Sequence, residues 1–411
     1  MSQAADRPPY RVPTLAEINA LPWNGLNVIS TFAGGGGSSL GYRMAGYKIR
    51  AACEFVPAAA DVYEANAAPG TVVCRDDIRT LTGRELLDVA GLDVGELDVL
   101  DGSPPCSAFS TAGKRSKTWG QVRSYSDTAQ RVDDLFYEYA RLVREIQPRV
   151  FVAENVAGLV RGESKGYFKR IHQELSRDGY RVEARLLDAQ WLGVPQMRSR
   201  LIFVGVRADQ AFGPVFPDPF PYRYSIADAL PHVAGQAAAG ASVGGAWSTV
   251  PGWRDASKPS ATIGAEPQSG NGRFPPSVIA DSLLIKQFGR VDGVKSSTRR
   301  VDDGPSPTVT ATGMQAVARS EVALSGLIDD ALLDPECGVD LRQVSPALRA
   351  AYPGKALRKL AIFEVRALCS FPPDFELSGS YSQRWERLGR AVPPLMMRAI
   401  AERLRVELCA D

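Results

Sequence analysis

The stretch Leu97-Asp98-Val99-Leu100-Asp101-Gly102-Ser103-Pro104-Pro105-Cys106-Ser107-Ala108-Phe109-Ser110 decides how this chain is read. Residues 97–100 form a short apolar run that reads as a buried strand. Two prolines then deliver a cysteine at the strand's C-terminal end, the place where open α/β sheets carry out their chemistry. Proline fixes its own φ and biases the residue before it toward extended geometry, so Cys106 stands on a stiff support. On these residues alone two readings stay open. Cys106 is either a nucleophile or a structural cysteine in a tight turn, since free cysteine often serves as a small buried apolar residue.

Outward from this stretch, strand-like runs alternate with helical patterns. Residues 27–32, 48–55, 71–74, 97–100, 149–153 and 201–206 read as strands. Leu135, Tyr139, Leu142, Val143 and Ile146 recur near helical spacing. The alternation predicts an α/β fold with a mostly parallel sheet and helices on both faces. Past residue 211 the pattern changes. Residues 212–224 are rich in proline and aromatics, and 235–245 are nearly all Ala, Gly, Ser and Val, the composition of a linker or flexible loop. Turns, short β-like pieces and scattered Arg and Lys then predict a second, smaller, irregular domain. A weak echo links residues 259–263 and 305–309, each resembling a turn that feeds a strand; chance accounts for it as well.

Residues 357–370 carry an amphipathic helical pattern stopped by Phe371-Pro372-Pro373, and 393–404 open with a proline suited to a helix start. These helices are expected to pack back on the first domain. The expected division is an N-terminal arm over 1–24, a catalytic domain over 25–210, an irregular domain over 211–354 and a returning C-terminal segment over 355–411. The arm's polar, proline-rich beginning reads as flexible.

The 411 residues suffice for a large core and about two domains. With 45% hydrophobic and 23% charged residues, the composition is that of an ordinary globular protein. A net charge of +2 neither demands nor excludes nucleic acid. The 6 cysteines are scattered and there are only 2 histidines, which argues against a metal site and a disulfide framework. Cysteine usage fits a reducing cytoplasm. No apolar run is long enough to span a membrane, and no apolar signal core opens the chain.

The first strand ends in Phe32-Ala33-Gly34-Gly35-Gly36-Gly37. Such glycines let backbone approach a ligand closely, with a helix starting just beyond. The loop lacks the Gly-Lys-Ser/Thr of a phosphate loop. The second strand ends at Glu54-Phe55, where an acid commonly meets a ribose hydroxyl pair. The third runs toward Asp77-Ile78, where another acid could meet an adenine amino group. A dinucleotide stays open, but the set points to a phosphate-free adenosine cofactor, S-adenosylmethionine, more than to NAD. Residues 114–131 carry five basic side chains and read either as an exposed charged loop or as a mobile lid. The fifth strand runs into Glu154-Asn155-Val156. That carboxyl either donates a hydrogen bond in partly protonated form or favours a helix N-terminus. In Gln196-Met197-Arg198-Ser199-Arg200, alternation puts Gln196, Arg198 and Arg200 on one face. Surface arginines are the plainer reading.

Taken in order, these motifs resemble the DNA (cytosine-5) methyltransferase family, bacterial type, along nearly the whole chain. The resemblance implies a Rossmann-like S-adenosylmethionine-dependent domain with a target-recognition region over about 215–350. It implies donor binding by Phe32, Ala33, Gly34, Gly35, Gly36, Gly37, Glu54, Phe55, Asp77, Ile78, Pro105, Leu135, Arg390 and Ala391. It implies that Cys106 attacks carbon 6 of a flipped-out cytosine, that Glu154 holds ring nitrogen 3 and the exocyclic amine, and that Arg198 and Arg200 support the ring oxygen. Residues 358–375 and 389–394 resemble the family's last two motifs. Duplex DNA is the implied partner, with a cognate restriction endonuclease as a further candidate and a monomer as the expected state. Ser107, Ala361 and Arg390 depart from the family pattern, which there favours glutamine, threonine and asparagine. Arg390 is expected either to admit a donor carrying an extra anionic group or to swing to a local acid. Competing expectations are an RNA cytosine-5 methyltransferase, an inactive DNA-binding regulator and an NAD-type oxidoreductase.

Overall fold

The computed structural model describes residues 7–105, 135–160, 165–231 and 361–410, with the backbone of short strands between them. The strands are β1 (Asn27–Thr31), β2 (Lys48–Cys53), β3 (Val72–Cys74), β4 (Val99–Gly102), β5 (Arg123–Tyr125), β6 (Thr128–Gln130), β7 (Val150–Val156), β8 (Tyr180–Asp188), β9 (Gln196–Met197), β10 (Ser199–Arg207), β11 (Leu284–Gln287), β12 (Ser297–Arg300), β13 (Ser306–Pro307), β14 (Ala316–Ser320) and β15 (Lys355–Lys359). The α-helices are α1 (Leu15–Asn19), α2 (Gly37–Met44), α3 (Pro57–Ala65), α4 (Gly83–Ala90), α5 (Leu135–Ile146), α6 (Lys165–Leu175), α7 (Ile226–Ala229), α8 (Ile362–Leu368), α9 (Tyr381–Arg390) and α10 (Pro394–Leu408).

A 7-stranded sheet in the order β3-β2-β1-β4-β7-β10-β8 organises these elements. Its first five strands run parallel, and β10 runs antiparallel to both β7 and β8. The strand order reverses beside β1, so the crevice between the ends of β1 and β4 is where such a sheet accepts ligands. Covered on both faces, β1 is buried throughout and reads as an unbroken buried run rather than an alternation. The α/β expectation holds, with a mixed rather than wholly parallel sheet. β8 was not anticipated. It lies at the edge and alternates charged with apolar residues, so no continuous apolar run announces it.

Two cores flank the sheet. On one face α4, α5 and α6 bury Leu86, Tyr139, Leu142, Phe151 and Phe203. α5 shows why its sequence is helical. Its inner stripe is Leu135, Phe136, Tyr139, Leu142, Val143 and Ile146, while Arg141 outside reaches Glu138 at 2.8 Å and Glu145 at 3.0 Å. On the other face α2 packs against α10, with α8 and α9 beside them around Trp385, Met396 and Ile400. A Cβ at Gly41 would stand 2.5 Å from the Met397 Cβ, so glycine is what lets α2 and α10 approach.

The C-terminal helices α8, α9 and α10 thus share one core with α2. The single helix expected over 357–370 is instead β15 followed by α8. Ala361 stays extended between them, its N–H donating to the Glu364 carboxylate at 2.8 Å. The described part of the N-terminal arm is docked rather than free. Arg7 pairs with Asp228 at 2.6 Å, and the Tyr10 hydroxyl donates to the Ala367 carbonyl at 2.9 Å. Of residues 211–354, the stretch to residue 231 and the backbone of β11–β14 are described. Residues 259–263 of the echo lie outside the described residues, and 306–307 form β13, which pairs in parallel with β9.

Candidate active site

β1 ends at a turn with unusual backbone. Phe32, Gly34 and Gly36 hold φ values of 52°, 55° and 92°. Positive φ costs a side-chain-bearing residue energy, so Phe32 is held there by the packing of its ring on the α4–α6 core. The glycines divide the work. At Gly34 a Cβ would meet nothing within 4 Å, leaving bare backbone facing open space. At Gly37 it would stand 2.3 Å from the Val392 carbonyl and 3.0 Å from the Ala391 Cβ, so the loop is seated on the C-terminal segment. Gly35 lies against Val62 and Arg387, and Ala33 bonds back to the Cys53 carbonyl at 3.0 Å.

Glu54 follows β2 and is buried, 9% exposed. One carboxylate oxygen accepts the Gly34 N–H and the other the Val56 N–H, each at 2.7 Å. Burial raises its pKa, and the two N–H donors with Arg387 and Arg390 oppose that rise. A carboxylate offers about four acceptor sites, so Glu54 can fasten the loop and still accept hydroxyl groups. Phe55 beside it is 37% exposed, a large aromatic face left at the surface. Asp77 is gripped by Arg79, whose backbone N–H donates at 3.0 Å and whose guanidinium lies 3.1 Å away. Ile78 is buried in the core behind it. Bare backbone at Gly34, an acid with spare acceptors, an aromatic face and a second acid fit an adenosine group without phosphates.

β4 and β7 lie side by side and present the second half of the site. A Cβ at Gly102 would stand 2.4 Å from the Tyr139 ring, so glycine is required there. The Tyr139 hydroxyl sits 2.9 Å from the carbonyls of both Leu100 and Val152, joining the two strands from below. Asn155 donates to the Pro104 carbonyl at 3.2 Å and fixes the proline turn. Pro105 is the last described residue of that turn; Cys106 and the basic loop over 114–131 lie outside the described side chains. Next to the turn, Glu154 and Arg200 form a buried ion pair with an N–O distance of 2.5 Å. Burial lowers the Arg200 pKa and Glu154 works against that fall.

Gln196 and Arg198 face a different target from Arg200. Gln196 donates to the Leu368 carbonyl at 3.2 Å, and Arg198 to the carbonyls of Gly389 at 2.9 Å and Arg390 at 3.3 Å. Burial brings Arg198 down to about 9. The structure thus brings Arg200 and Glu154 together and sets Arg198 on the C-terminal segment. Arg390 reaches Glu386, one turn back on α9, at 2.5 Å, which is the local-acid alternative. Leu135 opens α5 and is buried. Two residues with no assigned role in the sequence reading belong to this region. Arg387, buried, crosses between Gly35 and the Ala58 carbonyl. Asp101, 1% exposed, lies inside β4. A charged residue within an apolar strand was the visible signal for Asp101; nothing local marked Arg387. Among the described residues no group of His, Cys, Asp and Glu is arranged to hold a metal, and no helix is long and apolar enough to cross a membrane.

Comparison with known proteins matches this arrangement. A family model described as C-5 cytosine-specific DNA methylase matches residues 26–405. The type II methyltransferase M1.HphI of Haemophilus parahaemolyticus is 29% identical over 378 residues, spanning 92% of this chain and 86% of its own. The type II methyltransferase M.XorII of Xanthomonas oryzae pv. oryzae is 28% identical over 390 residues, spanning 90% and 82%. Among solved structures, a DNMT2 mutant from Spodoptera frugiperda superposes with a TM-score of 0.53 at 15% identity, covering 91% of this chain and 98% of that one, a likeness of fold.

Proposed function

The chain belongs to the C-5 cytosine-specific DNA methylase family and is a DNA cytosine-5-methyltransferase that uses S-adenosylmethionine; on that premise we propose that it works through a covalent Cys106 adduct with a flipped-out cytosine. The observation that carries this reading is the buried Glu154–Arg200 pair beside the turn that Asn155 fixes and that leads into Cys106. A cytosine inside a duplex presents neither face of carbon 6, so it must leave the stack. The Cys106 thiolate adds to carbon 6, and Glu154 holds nitrogen 3 and the exocyclic amine while electron density moves to carbon 5. Arg200 orients Glu154 and supports the ring oxygen. The bound sulfonium supplies an electrophilic methyl group. Carbon 5 then loses its proton to a base, the carbon–sulfur bond to Cys106 breaks, and the thiolate returns.

Phe32 to Gly37, Glu54, Phe55, Asp77 and Ile78 would hold the donor, with Pro105, Leu135, Arg390 and Ala391 closing its surroundings. Arg198 acts one step away, holding the backbone of Gly389 and Arg390 in place. Residues 211–354 read the DNA sequence, and the protein works as a monomer. The names of its relatives support a restriction-modification setting with a companion endonuclease. A second reading draws on Arg390, which acts electrostatically on Glu54 and so stands near the donor: the donor carries an added anionic group. Arg390→Asn separates the two; unchanged donor preference and affinity would remove the second reading. The main test is DNA amplified with 5-fluorocytosine, which offers every sequence context. Wild type with S-adenosylmethionine should give a denaturation-resistant adduct, and Cys106→Ser none. No wild-type adduct would overturn the mechanism.

A further inference from the structure

Asp101 is a buried acid that the proposed reaction does not use. β4 points Leu100 and Gly102 toward α5, so Asp101 points to the opposite face, at the first turn of α2. One of its oxygens, Oδ2, accepts the hydroxyl of Ser30, its register partner on β1, at 2.9 Å, and that of Ser38 on α2 at 2.7 Å. The other, Oδ1, is buried with no hydrogen-bond partner among the described residues. The Tyr42 hydroxyl, one turn along α2, is likewise buried and makes no hydrogen bond of ordinary geometry, yet it stands close enough to the carboxyl to act on it as a donor. No described cation pairs with the carboxyl. The titratable groups that act on it or feel it are Tyr42 on α2, Tyr63 on α3, Tyr139 on α5 and Glu154 on β7, all acidic side chains.

This hub sits between the two working loops. Ser30 stands two residues before Phe32, Ser38 directly follows Gly37, and Asp101 lies five residues before Cys106. We propose that Asp101 is a positioning residue for methyl transfer, which in its neutral form fixes the nucleophile turn against the donor loop. A neutral carboxyl can accept both serine hydroxyls on Oδ2 and donate its own proton from Oδ1 toward Tyr42. An ionised one carries a full buried charge against hydroxyl donors alone, with no described cation beside it, and must draw in water or shift its neighbours. Consistent with the geometry, burial lifts this carboxyl to about 7, the two serines and Tyr42 opposing the rise and Glu154 adding to it. Ionisation therefore loosens the hub within the working pH range.

The inference rests on the proposed role of Cys106, and the tests keep the two apart. Single-turnover transfer of labelled methyl from S-adenosylmethionine to unmethylated bacterial genomic DNA is measured from pH 6 to pH 9. Wild type should lose rate through an inflection near 7. Asp101→Asn, neutral and of the same shape, should keep the rate within about threefold at low pH and lack that inflection. Ser38→Ala removes a hydroxyl that favours the anion, so its inflection should move to higher pH. This variant decides the matter should Asp101→Asn not fold. A profile for Asp101→Asn that superimposes on wild type, or an inflection unmoved in Ser38→Ala, would overturn the role of Asp101 while the 5-fluorocytosine adduct still forms. Absence of that adduct in wild type would instead strike the Cys106 reading.

Discussion

The buried pair of Glu154 and Arg200 concentrates the chemistry in two side chains. Glu154→Gln keeps the shape and removes the charge, and methyl transfer should fall about a hundredfold or more. Chromatographic quantitation of 5-methylcytosine checks this. Arg200→Ala leaves Glu154 buried without its cation and should cost about 3–5 kcal/mol of stability as well as activity; chemical denaturation followed by fluorescence measures it. Asp101 gives a prediction about stability alone. Its folded pKa of about 7 lies above the ordinary aspartate value of 3.8. The unfolded chain therefore gives up this proton first. The stability linked to it is complete below about pH 4 and drains away as pH rises through 7, by about 4 kcal/mol at most. The Tm difference between Asp101→Asn and wild type should thus grow in favour of the variant from pH 5 to pH 8, and a constant difference would count against it. At this scale the sequence displayed Cys106, Glu154 and the glycine run because each follows a short apolar run in the chain. It could not display that Arg198 serves Gly389 and Arg390, since that contact joins residues far apart in the chain and leaves no local mark.

Elements were legible where burial is one-sided or complete. α5 was visible because its apolar stripe repeats at helical spacing, and β1, β2 and β4 because each holds a short apolar pair or triplet, Val28-Ile29, Ala51-Ala52-Cys53 and Val99-Leu100. β8 was not, because an edge strand keeps charged groups such as Arg181, Glu183 and Arg185 among its apolar ones. β15 and α8 merged into one apparent helix because Ala361 interrupts the backbone without interrupting the pattern. Helix contacts carry their own prediction. The approach of α2 to α10 depends on Gly41, where an added methyl group meets both the Met397 side chain and the backbone of Arg398. Gly41→Ala should destabilise the protein by about 1–3 kcal/mol, because overpacking of backbone against backbone is not relieved by a rotamer change. A Tm lowered by several degrees checks it, while Gly70→Ala makes a poor control, since Gly70 itself holds a positive φ of 84°.

At the scale of the whole molecule, the sheet's two faces differ in where their cover comes from. α4–α6 arise from the neighbourhood of the strands they shield. The face bearing α2 is covered by α8–α10, read from the far end of the chain, with the docked N-terminal arm beside them. A fragment ending at residue 354 should therefore fail to fold, its α2 face stripped of Trp385, Met396 and Ile400. Co-expression with residues 355–411 should restore soluble protein that binds S-adenosylmethionine, and a folded 1–354 fragment would refute the dependence. Crossing of α2 by α10 also sets an order in time. Synthesis runs from the N-terminus, so the glycine loop and its acids leave the ribosome long before the helix that seats them. A chain still being made therefore carries its glycine loop before the C-terminal segment on which Gly37 is seated.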